Sequence, residues 1–333
     1  MKNIDNLIKR IKEVVDKHYI GNGEYARFLW QDSKGTRKMG VNEYGCADAM
    51  NILYTINAFP RGKDRELCLD ALLNLQNKDT GLFVEETHHC IHTTAHCVAA
   101  IELFDAVPKY PQTYLSRYFT KEGLAELLDS LDWTGAPWPQ SHQGAGIYVI
   151  GVLTGSVDLD WQREYFRIIY DNTDPVIGMS RKGTYKEDGA PLFSHLYGWF
   201  HYMFNMQYAK KPLKYPETLM ETCLNMYDTN MLDTASKFGR AINFAEIDWV
   251  YAVNRTSRQT PYRFADAKDR LRDFAEGYID YLESLDFDTH DGVNDLHMLF
   301  GSVCCLAELQ AALPGEIEST LPLRLVLDRR PFI

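Results

Sequence analysis

The 333-residue chain has no C-x-x-C pair, no run approaching the ~20 apolar residues of a membrane span, and no excess of basic residues. Each absence removes a class of protein. Without closely paired cysteines the spacing of a zinc ribbon is missing, and seven Cys cannot complete a disulfide framework, so reduced thiols in a cytoplasmic protein are expected. The 35 Lys and Arg set against 46 Asp and Glu leave a formal charge of −11, which opposes nucleic acid and anionic membrane as partners. With only 13 Pro and 22 Gly, 45% hydrophobic and 24% charged residues, the composition is that of a folded globular chain. Strand-like runs with hairpin turns are scarce as well, the best being the terminal LRLVLD of Leu323 to Asp328.

What the chain does have is a helical period. Residues 3–18 place Ile4, Leu7, Ile8, Ile11, Val14 and Val15 on one face of a charged amphipathic helix, which is unlike a signal peptide. Apolar helices stopped by proline end at Pro60, Pro108 and Pro314, and helices of this kind begin near Glu43, Ile91, His142, Phe193, Asn243 and Asn294. The starts recur at intervals close to ~50 residues, which marks an internal repeat. Between them lie helices with charged outer faces, at Lys63–Gln76, Lys121–Leu131, Trp161–Asp171, Glu217–Tyr227 and Asp266–Leu285, with residues 3–18 as the sixth. Six apolar helices inside six amphipathic ones predict an all-α, single-domain (α/α)6 toroid over 1–333, with residues 315–333 as a C-terminal tail. An open α-solenoid is the alternative, though solenoid repeats share more internal consensus than these do.

The stretch Leu72 to Phe83, LLNLQNKDTGLF, followed by IHTTAHCVAAIEL, resembles the Q-x4-G-x-[WF] repeat and following Thr-Ala helix of the terpenoid cyclase and protein prenyltransferase toroids. The likeness covers about one repeat, Leu67 to Phe104. In helix number and period, the whole chain is similar to six-hairpin glycosidases and sugar epimerases. The first resemblance implies isoprenoid chemistry, the second a carbohydrate substrate.

In such a ring all loops entering the inner helices lie at one end. Nine of the ten His fall in those loops or on the inner helices: His88, His89, His92, His96, His142, His195, His201, His290 and His297. Helix N-termini converge there too, offering unpaired N–H groups to a ligand. His88, His92 and His96 would stack at i, i+4 and i+8 in a continuous helix, a zinc-like arrangement. With the residues before Ile91 in a loop, only His92 and His96 remain paired, so no metal is expected. His89, His92 and His297 are instead candidates for acid–base work.

Glu246 and Asp248, two apart on a helix, point ~200° from each other, so one faces the funnel and the other a neighbour. Asp295 is either a second catalytic carboxylate or the N-cap of the last inner helix. Glu86 and Asp48 complete the carboxylate candidates; Asp48 sits among Cys46, Ala47 and Ala49, where a carboxylate needs a partner or a function. Tyr44, His88, Trp133, Trp138, His142, His195, His201, Arg240 and Trp249 are the expected substrate-binding residues, the tryptophans as platforms for sugar rings. Arg37, Lys38, Arg181 and Lys182 stand at the same end, as possible clamps for a carboxylate or phosphate.

A glycoside hydrolase with paired carboxylates, acting on a mono- or oligosaccharide without an organic cofactor, is the expected activity. A His-based sugar epimerase or lyase uses the same wall differently. A terpenoid cyclase or prenyltransferase fits less well: no D-x-D-D acid is intact around Asp286 to Asp291, no Asp-x-Cys occurs, and the densest basic cluster, Arg255 to Arg263, follows an inner helix.

Overall fold

A computed structural model describes residues 1–333. The fold is all-α, with twelve principal helices: α1 (Asp5–His18), α2 (Glu43–Thr55), α3 (Gly62–Asn74), α4 (Cys90–Glu102), α5 (Lys121–Ser130), α6 (Pro137–Leu153), α7 (Leu159–Asp171), α8 (Leu192–Tyr208), α9 (Pro216–Asp228), α10 (Ala245–Ser257), α11 (Phe264–Ser284) and α12 (Leu296–Ala312). The only strands are four pieces of two or three residues, in two-stranded pairs. No helix is long and apolar enough to cross a membrane, and all seven cysteines are unpaired.

The even-numbered helices are nearly or wholly buried around their circumference, whereas the odd-numbered ones bury a single face. Burial follows packing. Helix α2 packs on α4, α4 on α6, α6 on α8, α8 on α10, α10 on α12, and α12 again on α2, while α1, α3, α9 and α11 lie against them from outside. Close approach depends on small residues at the contacts. A Cβ on Gly198 would fall 2.9 Å from the Pro137 carbonyl oxygen, and one on Gly301 would fall 2.9 Å from that of Asn243. Larger residues there would push α8 off α6 and α12 off the start of α10.

The Q-x4-G-x-F segment has a structural explanation. Gln76 donates to the carbonyls of Gly81 (2.9 Å) and Tyr110 (2.7 Å) and accepts from the Tyr110 N–H (2.9 Å), so one amide joins two loops. Gly81 has φ +74°, and a Cβ on it would lie 2.0 Å from the Pro111 carbonyl. Phe83 is fully buried. None of these three residues reaches the cavity described below.

The tail departs from expectation. LRLVLD is not a strand: Val326–Arg329 forms one helical turn, and the parallel pairing at this end joins Lys2–Asn3 to Ile317–Glu318. Beyond Pro322 the tail turns inward. Its helical turn touches both α8 and α2, which are three positions apart in the order of inner contacts, and Phe332 and Ile333 are buried. Apolar residues at Val326, Leu327, Phe332 and Ile333 account for this, since burying them outweighs leaving them along an acidic surface. Polar clamps hold the segment: Arg255 is bonded to both Asp328 and Glu308, and Arg329 to Glu102 and Asp105. Arg330 is different. Its guanidinium is fully buried against the Phe300 ring with no hydrogen-bond partner on any nitrogen. An unpaired buried charge is costly, so Arg330→Met is expected to stabilise the fold by ~1–4 kcal/mol, read as a higher urea midpoint at unchanged slope. A lower midpoint would mean that the guanidinium has a partner such as buried water.

Candidate functional site

A cavity of about 540 Å³ opens at the N-terminal ends of the buried helices. Its wall comes from Thr87, His88, His89 and His92 at the entry to α4, from Trp138, Pro139, Gln140, His142 and Gln143 in α6, from Phe200 and His201 in α8, from Phe244 and Asp248 at α10, and from His297 and Met298 in α12; Ile333 of the tail completes it. Six imidazoles share one wall. Successive rings of His88, His92, His142 and His201 are 4.6, 4.4 and 4.3 Å apart between centroids.

Hydrogen bonds orient these rings. His201 Nδ1 lies 2.7 Å from Ser141 Oγ, whose only hydrogen goes to the Trp138 carbonyl (2.6 Å), so the imidazole donates through Nδ1. His88 Nδ1 is 2.8 Å from Thr87 Oγ1, which donates to Glu85 and accepts from Arg27, so His88 also donates through Nδ1. Burial would raise the Glu85 carboxyl, but His88, Thr87 and Arg27 hold it down to about 2. His297 Nδ1 lies 3.0 Å from Asp48 Oδ2, and His96 Nε2 lies 2.7 Å from Asp48 Oδ1. Burial opposes ionisation of Asp48, yet the two imidazoles keep its carboxyl well below the usual carboxylate range. Burial pushes His297 down to about 4 even against Asp48, and His201 to about 3. His92 and His142 are pushed well below their ordinary value by burial and then by neighbouring imidazoles. Neutral rings that donate through Nδ1 carry their lone pair on Nε2. His92 is held from behind as well, its Nδ1 2.5 Å from Tyr44 Oη.

Asp48, His96 and His297 offer ligand atoms within 4.8 Å of one another, which is close enough for one cation. The chemistry of the set fits hydrogen bonding better. Ligation through His96 Nε2 would leave a proton on His96 Nδ1, which is buried without a partner, whereas metal-bound imidazoles normally donate through their second nitrogen. Arg330, whose charge acts on both His96 and Asp48, would further repel a cation.

The carboxyl pair on α10 divides as its spacing requires. Asp248 reaches the cavity; both its oxygens are buried without partners, and burial raises its pKa well above the usual range. Glu246 lies off the wall, accepting from the Gly239 N–H (3.1 Å), and burial raises it to about 7. Of the other residues expected here, Asp48 and Tyr44 sit behind the wall as supports. Asp295 is not on the wall: it caps α12 by accepting from the His297 N–H (3.0 Å) and takes two bonds of 2.9 Å from Arg27. Glu86 is exposed and Arg240 is exposed, both away from the cavity, and the buried partner is Glu85 instead. Trp133, Trp249 and His195 are packed between helices, where Trp133 stacks on Tyr202 and Trp249 on Tyr227. Burial of the two indoles' large apolar surface accounts for the placement of Trp133 and Trp249. Trp138 alone of the tryptophans lines the cavity.

The sequence reading missed Arg27, Ser141, Phe244 and the tail. Only the tail gave a signal, in the run of apolar residues around Arg330. No protein-family model, curated protein or solved structure matches this chain.

Proposed function

We propose that this chain is a cytoplasmic enzyme built as an (α/α)6 toroid, which moves a proton on a small carbohydrate. The observation that carries the reading is a carboxyl, Asp248, with both oxygens buried without partners, on the same cavity wall as an imidazole, His297, oriented by Asp48; burial favours the neutral form of each. The closed sequence of contacts from α2 through α12 and back to α2 supports the toroid. An acid kept neutral and a base kept neutral are the two groups that enolisation needs. His297 Nε2 takes the proton from the carbon beside a sugar carbonyl, and the C–H electron pair forms the enol double bond. The Asp248 carboxyl gives its proton to the carbonyl oxygen. Return of a proton to the other face, or to the neighbouring carbon, yields an epimer or an isomer.

Glycoside hydrolysis, the activity expected from sequence, is less well supported. It uses two side-chain carboxyl groups flanking the bond, ~5–9.5 Å apart, and Asp248 is the one side-chain carboxyl on this wall. An isoprenoid diphosphate would need cations, and the wall has none. Incubating the protein with reducing sugars in deuterated water tests the reading, with NMR following loss of the C–H signal beside the carbonyl. Exchange at that carbon is the expected result. Release of the aglycone from aryl glycosides without any such exchange would replace this reading with hydrolysis.

A further inference from the structure

We infer that the cavity selects a neutral, hydroxyl-rich ligand and rejects anions, because its wall offers an array of imidazole lone pairs and no free cation. The inference rests on the sugar reading above for the size and kind of ligand, but not on any catalytic step. Three rings, His88, His201 and His297, have their Nδ1 protons committed to Thr87, Ser141 and Asp48. Each therefore faces the cavity side with an acceptor on Nε2, which matches a hydroxyl donor and opposes a carboxylate or phosphate oxygen. The tautomers are fixed before any ligand arrives, so no reorganisation is needed to accept three donors. Trp138, Phe200 and Phe244 supply apolar faces beside them, and ~300–1,000 Å³ is the usual range for a small-molecule pocket.

No lysine or arginine lines the wall: Lys38, Lys182 and Arg240 are exposed off it, the buried Arg330 lies behind it near His96 and Asp48, and the other arginines at this end are already paired. Arg27 is buried and shared between Asp295, Glu85 and Thr87. Arg37 is bidentate on Asp291 (2.8 and 2.6 Å), and Arg181 is bonded to Asp129 and the Leu128 carbonyl. An anionic group would thus meet no cation on the wall, beside acceptor nitrogens and the buried Asp248 carboxyl. The tail sets the floor. Ile333 lines the cavity, and the Phe332 ring lies 5.1 Å from that of His92 and 5.7 Å from that of Phe204. The ligand consequently enters from one end and stops there, as a monosaccharide or the terminal unit of a chain does.

Titration calorimetry on the full chain with matched probes tests this: glucose, mannose, galactose and sorbitol against glucuronate, galacturonate, glucose 6-phosphate and zinc chloride. At least one neutral probe is expected to bind at least ~10-fold tighter than every anion. His201→Phe, which keeps a ring but removes the acceptor, is expected to weaken that binding ~10-fold. Tighter binding of any anionic probe overturns the inference, as does chelator-reversible zinc binding that blocks the sugars. Failure of every neutral probe to bind at about 50 mM overturns it as well. A neutral sugar that binds without exchange of its C–H proton defeats the enzyme reading and leaves this one standing. Preference for a uronate that is turned over does the reverse.

Discussion

Acidification from pH 7 to pH 5 is expected to cost this fold ~4 kcal/mol of stability. The cause is the number of imidazoles held neutral by burial. His18 and His297 are pushed down to about 4 and His201 to about 3, against ~6.5 in an unfolded chain. Below pH ~6.5 the unfolded state takes up protons that the folded state refuses, so folding weakens as pH falls, until the native values are reached. At pH 5 each of these three groups costs ~2 kcal/mol. Glu246, raised by burial to about 7, acts in the opposite sense. It stays protonated in the fold while the unfolded carboxyl ionises, so falling pH restores ~2 kcal/mol there. Asp248 is shifted by burial in the same sense as Glu246, and His92 and His142 in the same sense as the other buried imidazoles. Urea midpoints at pH 7 and pH 5 measure the difference, and equal midpoints would show that the imidazoles are charged in the native state.

The histidines also show how far the sequence could be read. Helix positions were legible because burial imposes a period: the expected starts at Glu43, Ile91 and Phe193 fall within one residue of the observed Glu43, Cys90 and Leu192. The start expected at His142 came five residues late, since Pro137 and Pro139 read as loop although proline is well tolerated in a first helical turn. The His-rich end of the chain was legible for the same topological reason, as was the division of Glu246 from Asp248. Facing was not. Nothing in Glu85-Glu86 says which carboxylate turns inward, because that is decided by Arg27, nearly sixty residues earlier. Trp133 and Trp138 are equally aromatic and share one short stretch, yet one is claimed by Tyr202 across a helix contact. A terminal run such as LRLVLD has the local pattern of a strand; only the apolar space between α2 and α8 gives it another place to go.

Asp48→Asn is expected to lower the rate of proton exchange ~10²–10⁴-fold with little change in KM. The residue is behind the wall, so no substrate contact is lost. What changes is the proton on His297. Asp48 accepts from His96 and His297 at once; an Asn of the same shape has one acceptor oxygen, and its amide nitrogen must donate to one of the two rings. If that ring is His297, its proton moves to Nε2 and the base toward the cavity is gone. If it is His96, His297 keeps its tautomer but loses the negative charge that steadies the imidazolium formed during transfer. The pH profile separates both cases from simple structural damage. Asp48 raises the His297 pKa against burial, so removing its charge lowers that pKa, and the acidic limb of the rate profile moves to lower pH. A variant damaged only in its packing would lose activity at every pH and leave the limb in place. His297→Gln, which removes the base itself, should lose exchange altogether and show no limb to follow. A full rate for Asp48→Asn, or a slow rate with the limb unmoved, would assign Asp48 to the scaffold and pass the role of base to His92 or His201.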